Sequence, residues 1–299
     1  MGGLVMTDPA SEEVASNDLF GPTPRERVQR IWSSCWIDYP AASQALKRLE
    51  WLYDHPRVHR PPCCLIVGES NHGKTTIARK FKRMHEQTFV DGGTSSKMPV
   101  VYAQSPPMAD IPGLYSNILR AVGAPTASTA SALRKQDQVL NLLTRLGTRV
   151  LIIDELHTIL DGKKDQKGLF LNVLRHLTNE LEISLVGIGT KGVLRVFQTN
   201  QEFGNRFTPF TLPRWQVGPE YAKFLANICR HGGLQDVAFI KNKTLVRRIH
   251  TLSEGLTGET WEVMCTALER MDETGRMAID GDTLDEIDWT VPTDRRRQT

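Results

Sequence analysis

The sequence predicts an α/β fold, with a parallel five-stranded sheet flanked by helices and a small C-terminal helical lid. Three observations carry that expectation. Short apolar runs alternate with helical stretches along the first two thirds of the chain, the rhythm of parallel strands joined by crossover helices. A glycine-rich loop stands directly behind the first run, at the strand end where such sheets bind ligands. Beyond residue 215 the strands cease and only helical periodicity remains.

Taken in order, residues 1–22 mix small, acidic and Gly/Pro residues without periodicity and are expected to form a mobile tail. An α/β domain is expected over 23–215. It opens with Thr23 as N-cap and Pro24 at the first helical position, followed by Val28, Ile31 and Trp32, then Ala42, Leu46 and Leu49, at helical spacing. Cys63-Cys64-Leu65-Ile66-Val67 is the first strand, and the helix formers after Thr75 follow it. A polar loop, Asp91 to Lys97, leads to the strand Val100-Val101-Tyr102-Ala103. Helices are expected around Pro112 to Val122 and Ala130 to Leu146, and the next strand at Val150-Leu151-Ile152-Ile153. After a basic loop with Lys163, Lys164 and Lys167 come an amphipathic helix, Leu169 to Leu181, and the strand Ile183 to Ile188. Phe210-Thr211-Leu212 is the last strand. The lid, expected over 216–290, reads as helices at Tyr221 to His231, Lys243 to Ser253 and Thr260 to Gly275. A basic tail, 291–299, contains Arg295-Arg296-Arg297, an arm for DNA or a partner, or neither.

Composition sets wide bounds. The 299 residues are 40% hydrophobic and 24% charged, ordinary globular values, and the net charge of +3 permits nucleic-acid contact without demanding it. The five cysteines, Cys35, Cys63, Cys64, Cys229 and Cys265, have no metal-ligand or C-x-x-C spacing, which points to a reducing compartment. Cys63 and Cys64 read as packed thiols, with a redox pair as the alternative. No run reaches the roughly 18 apolar residues of a membrane span. A soluble, cytoplasmic protein is the expectation.

The chemistry begins at Gly68-Glu69-Ser70-Asn71-His72-Gly73-Lys74-Thr75, a complete G-x-x-x-x-G-K-[ST] phosphate-binding loop between strand and helix. Gly68 and Gly73 permit a tight turn whose backbone N–H groups face phosphate oxygens at the positive end of the helix. Lys74 adds a cation for the β and γ phosphates, and the Thr75 hydroxyl is placed to ligate Mg²⁺. The expected ATP-binding set runs from Gly68 through Thr76. A glycine turn without nucleotide is the alternative, against which the flanking strand and helix formers argue. The upstream aromatics in Trp36-Ile37-Asp38-Tyr39-Pro40 either stack on adenine or pack on the core.

The strand Val150 to Ile153 ends in Asp154-Glu155. Asp154 is expected to hold Mg²⁺ and Glu155 to polarise the water attacking the γ phosphate; the alternative is a pair of acids favoured at the next helix N-terminus. Thr190, at the end of a neighbouring strand, either orients water or caps the strand. Arg206 stands before the last strand, where a ring ATPase places an arginine that reaches the adjacent subunit's γ phosphate, a surface salt bridge being the alternative.

Together, Trp36-Ile37-Asp38-Tyr39-Pro40, Gly68 to Thr75, Leu151 to His157, Val186-Gly187-Ile188-Gly189-Thr190 and Phe210-Thr211-Leu212-Pro213-Arg214-Trp215 resemble the TniB branch of the transposition AAA+ ATPases, related to TnsC. The likeness spans roughly residues 24 to 285, and the last two blocks are the more specific to that branch. The resemblance implies an AAA+ P-loop NTPase that assembles on duplex DNA with ATP bound, as a ring or helical filament. It would recruit a DDE transposase and a TniQ-type target selector, with hydrolysis disassembling the complex. It implies Walker A roles for Lys74 and Thr75, Walker B roles for Asp154 and Glu155, a first sensor at Thr190 and an arginine finger at Arg206. One departure stands out, since Gly258-Glu259-Thr260-Trp261 puts Trp261 where related lids carry a sensor arginine. Slow hydrolysis is the consequence expected.

Sequence-independent duplex binding requires backbone phosphate contacts. Lys97, Lys163, Lys164 and Lys167 are the candidates, a solvated face being the alternative for each. Two other functions fit the same residues: an IstB-like helicase-loader ATPase, and a nucleotide switch acting on protein partners without DNA.

Overall fold

The computed structural model describes Gln29 and residues 36–86, 88–90, 95–127, 129–161, 164–199, 204–234 and 236–297. Apart from Gln29, the expected helix around Val28 to Trp32 lies outside the described residues, as do Cys35 and Lys163.

The chain divides into two compact units, one comprising Asp38–Arg214 with Leu256–Gly258, the other Met1–Ile37, Trp215–Gly255 and Glu259–Thr299. The first is built on a parallel five-stranded sheet in which β1 (Cys63–Val67) lies between β6 (Ser184–Gly189) and β7 (Phe207–Thr211), and β5 (Val150–Asp154) joins β6 to the edge strand β4 (Val100–Gln104). All residues of β1, β5 and β6 are buried, as continuous apolar runs in a sheet covered on both faces should be. The edge strand β7 is largely exposed. Register sets Val67 beside Gly189 and Thr211, and Gln104 beside Asp154, so the carboxyl ends of the strands converge on one edge.

Alternation sorts the strand side chains. Cys63, Leu65, Val67, Leu151, Ile153 and Leu185 face a core supplied by α3 (Ile111–Ala121), α4 (Ala132–Arg145), α5 (Lys164–Leu181) and α6 (Lys191–Thr199). Each fully buried Leu, Ile or Phe there contributes about 1.5–3 kcal/mol of transfer free energy. The opposite face carries α1 (Pro40–Asp54), packed on β1 and β6, and α2 (Lys74–Met84), packed on β4 and β6. Ala42, Leu46 and Leu49 are buried on α1, as their spacing predicts. His85, just past α2, bonds Glu50 of α1 at 3.0 Å and stacks on Tyr53 with ring centroids 3.9 Å apart.

Three local features depart from the sequence reading. The polar stretch before β4 ends in an antiparallel pair, β2 (Thr88–Val90) with β3 (Ser95–Lys97), that puts Lys97 opposite Thr88. Helix α5 starts five residues earlier than expected, so Lys164 and Lys167 sit in its first turn and not in a loop. A 3₁₀ turn, Leu156–Asp161, follows the carboxylate strand.

The second unit is helical among its described residues. It contains α7 (Pro219–His231), α8 (Lys243–Ser253) and α9 (Thr257–Glu273), the first two residues of α9 belonging to the sheet-bearing unit, then α10 (Gly281–Glu286) and α11 (Pro292–Arg297). Trp215 stacks on Phe224 with centroids 4.8 Å apart, and Tyr221, fully buried, shares hydrogen bonds with Ser253 and Thr260. Trp261 is half-buried on α9. The three terminal arginines lie on α11, where Arg295 pairs with the buried Glu259, Arg296 with Glu254 and Arg297 with Asp294.

Candidate nucleotide-binding site

Strand β1 ends at Val67 and the chain turns at once, Gly68 N–H donating to the Gly189 carbonyl at 3.2 Å. Asn71 and Gly73 take positive φ values of 54° and 82°. Asn tolerates that region through its short polar side chain, whereas Gly73 is needed there because a Cβ would also crowd the Tyr39 hydroxyl at 3.3 Å. The turn feeds α2, whose N-cap, Gly73, offers no side-chain bond to the first-turn N–H groups. An uncapped helix start behind a left-handed turn is the arrangement that binds phosphate.

The loop is held from below by His72. Its Nε2–H donates to the Pro213 carbonyl at 2.9 Å and its Nδ1 accepts from Thr257 N–H at 3.3 Å, which requires the neutral ring. Burial lowers the His72 pKa from its ordinary 6.5, and the nearby cations Lys74 and Arg214 act in the same direction. Gly258 N–H donates to the Asn71 carbonyl at 2.9 Å, and Tyr39 bonds Thr257. Gly258, the glycine that sequence reading placed at the head of the sensor context, serves here because the loop leaves no room for a Cβ, which would stand 2.7 Å from the Asn71 carbonyl oxygen.

Lys74 Nζ rests on the Glu69 carbonyl at 2.5 Å, curled over the loop. Burial lowers its pKa, while Glu155, Asp154 and Glu69 oppose the shift. The Glu69 carboxylate is gripped by the Arg214 guanidinium through two bonds, 2.7 and 2.5 Å.

The two halves of the site meet at Asp154, which is buried. Its Oδ2 accepts from Thr75 Oγ1 at 2.7 Å and from the Tyr102 hydroxyl at 2.8 Å, while its Oδ1 accepts from Glu155 N–H at 2.7 Å. Tyr102 is a site residue that sequence reading missed. Burial and the Asp154 charge push its phenol well above the usual value, so it remains a donor. Glu155 has φ 59°, a conformation costing a non-glycine residue about 1–2 kcal/mol, and its carboxylate meets His157 Nδ1 at 2.8 Å. Strain of this kind concentrates where a side chain must be aimed. Thr190 follows directly on β6, one residue past the Gly189 carbonyl that receives the loop, and its own carbonyl starts α6 by accepting from Val193 N–H at 3.1 Å.

Thr75 and Asp154 fit Mg²⁺, which takes one or two protein oxygens and completes its shell with phosphate and water. The hydroxyl already donates its proton to the carboxylate, leaving lone pairs for a cation. No cluster of three or more His, Cys, Asp or Glu that would cage a metal by itself occurs among the described residues.

Arg206 lies elsewhere. It precedes β7 at the opposite, N-terminal edge of the sheet, where its guanidinium donates to Asn179 Oδ1 at 2.9 Å and Thr178 Oγ1 at 3.0 Å. Arg57 and Arg149 tie chain carbonyls at that same edge. Lys97 is exposed and Lys167 half-buried. Cys63 and Cys64 are buried, and burial pushes both thiols up to about 11, which identifies them as packing groups.

The parallel five-stranded sheet, with the phosphate loop behind β1, is the AAA+ P-loop fold that the sequence predicts. The family described as "Bacterial TniB protein" matches residues 27–217. This chain belongs to the TniB family. Among solved structures, the TniB-family chain is similar to Drosophila ORC bound to DNA (TM-score 0.59, 14% identity, 96% of this chain and 69% of the other). The Aeropyrum pernix ORC2 protein in its ADPNP-ADP complexes gives TM-score 0.57 at 16% identity, covering 95% and 73%. The Cdc6 protein of Pyrobaculum aerophilum gives 0.56 at 17%, covering 83% and 67%. At these identities the likeness is one of fold. No curated protein matches the sequence. Among the described residues, no helix is long and apolar enough to cross a membrane.

Proposed function

We propose that this TniB-family ATPase is an ATP-dependent, DNA-binding regulator of transposition. It oligomerises on target duplex with ATP bound, recruits a DDE transposase and a TniQ-type target selector, and leaves the DNA on hydrolysis. The observation that carries the nucleotide chemistry is the 2.7 Å bond from Thr75 to Asp154, which unites two motifs 79 residues apart. Family membership supports the transposition role, and the fold shared with DNA-bound ORC supports duplex as the partner.

The same reading assigns each residue a role. Loop N–H groups and Lys74 bind the phosphates, and Lys74 exchanges the Glu69 carbonyl for phosphate oxygen. Thr75 and Asp154 would hold Mg²⁺, whose charge would offset that of the phosphates. Glu155 takes the proton of the attacking water, and Thr190 senses the γ phosphate. Arg206 would act on a neighbouring subunit's nucleotide after leaving Asn179 and Thr178. Lys97, Lys164 and Lys167, with Lys163, contact the DNA backbone.

The test is hydrolysis measured beside DNA retention. Glu155→Gln should bind ATP normally, hydrolyse it at least about a hundredfold more slowly, within the range of general-base loss, and stay on DNA. Arg206→Ala in the same assay should lose turnover at unchanged ATP affinity. Normal turnover in Glu155→Gln would show that another group activates the water. A fall in melting temperature with turnover intact would confine Arg206 to the sheet edge.

A further inference from the structure

The phosphate loop carries an acid at the place where it must receive an anion. Glu69 is the second residue of the loop, and its own carbonyl is the resting partner of Lys74 Nζ at 2.5 Å. Lys74 already faces Asp154 and Glu155, so Glu69 is a third negative charge beside the one loop residue that draws in a triphosphate. That carboxylate is held by Arg214, 145 residues away in sequence, in a fork with Nε to Oε1 at 2.7 Å and Nη2 to Oε2 at 2.5 Å. Both side chains are about two-thirds covered, 37% exposed for Arg214 and 28% for Glu69, a setting in which charges act over several ångströms. Two parallel bonds fix the guanidinium in the plane of the carboxylate, a geometry that Lys lacks.

Resting on the phosphate-loop reading, we infer that Arg214 is a positioning residue of the nucleotide site that cancels the Glu69 charge and so keeps the loop attractive to a triphosphate. Arg214 follows Leu212-Pro213, where the chain leaves β7. Leu212 N–H bonds the Val67 carbonyl at 2.9 Å, and the Pro213 carbonyl receives His72. The same exit from β7 thus fixes the loop by backbone and neutralises it by side chain.

The experiment titrates the full chain with fluorescent N-methylanthraniloyl ATP and ADP. It compares wild type, Arg214→Ala, Glu69→Gln and the double variant at about 0.1 M and about 0.5 M salt, the higher value shortening the screening length below 10 Å. Arg214→Ala should weaken ATP about fivefold, the order expected for one uncompensated charge at a part-exposed site. It should weaken the less charged ADP by a smaller factor, and lose most of its defect at high salt. Glu69→Gln, which leaves the Arg214 charge uncompensated, should bind ATP about two- to fivefold more tightly than wild type, and the double variant should return to within about twofold of wild type. A double variant as weak as Arg214→Ala would overturn the inference and make Arg214 a direct nucleotide contact. Equal affinity in all four proteins would overturn it too, reducing the pair to a surface bridge. If Arg214→Ala does not fold, Glu69→Gln decides alone, since unchanged or weaker ATP binding there contradicts charge cancellation. Lys74→Ala, run beside these, tests the loop reading separately, for it must lose ATP whatever the rescue pattern.

Discussion

Asp154 accepts three hydrogen bonds, and the one from Tyr102 has the clearest consequence. A hydroxyl at 2.8 Å, whose raised pKa keeps it protonated, holds Oδ2 at a fixed angle to Thr75. Tyr102→Phe should leave ATP affinity within about twofold and reduce turnover about tenfold, the worth of one hydrogen bond to a charged group. Unchanged turnover would mean Thr75 and the Glu155 N–H orient the carboxylate unaided. His72 makes a pH prediction. The folded chain lowers its pKa below 6.5, chiefly by burial, so the unfolded chain takes up a proton first as pH falls. This residue's contribution is therefore constant above about 6.5, and stability declines below it toward the lowered value. Protonated Nδ1 can no longer accept from Thr257 N–H. Melting temperature should drop between pH 7.5 and 5.5, and His72→Gln should shrink the drop; an equal drop in that variant would place the titration elsewhere.

At the scale of elements, the loop is clamped by β7's exit and by the first residues of α9. Gly258→Ala tests the clamp. Its methyl would stand 2.7 Å from the Asn71 carbonyl oxygen, a backbone atom, and would also strike the Asn71 amide, so the loop must move. A loss of about 1–3 kcal/mol, typical of overpacking, should accompany weaker ATP binding; wild-type affinity and stability would show that the loop yields freely. The strands and the phosphate loop were legible in the sequence because an apolar run plus a Gly-x-x-x-x-Gly-Lys-Thr spacing is local information. Asp154 was legible for the same reason. Tyr102 was not, since its role follows from the β4–β5 register, which a single strand does not specify. Nor were the Arg214–Glu69 and Gly258–Asn71 contacts, whose partners are more than 140 residues apart in sequence and meet only in the fold. The β2–β3 pair was hidden because β3, Ser-Ser-Lys, carries no strand pattern.

For the whole molecule, the order β7-β1-β6-β5-β4 explains why a loop after β1 and acids after β5 serve one site: both strands end at the same sheet edge, separated by β6. It equally explains why Arg206, before β7, lies at the other edge, bonded to Asn179 and Thr178. An ATPase of this design becomes a regulator when nucleotide state alters its hold on DNA. The net charge of +3 is small, and the proposed assembly would hold duplex through many subunits, each supplying a few phosphate contacts. The most direct measurement is the fluorescence anisotropy of a labelled random-sequence duplex titrated with the full chain in ATP, a non-hydrolysable analogue, ADP and no nucleotide, at two salt concentrations. Cooperative, salt-sensitive binding is expected with ATP or the analogue, and none with ADP or without nucleotide. Hydrolysis without DNA binding in any nucleotide state would contradict it and leave a switch that acts on protein partners alone.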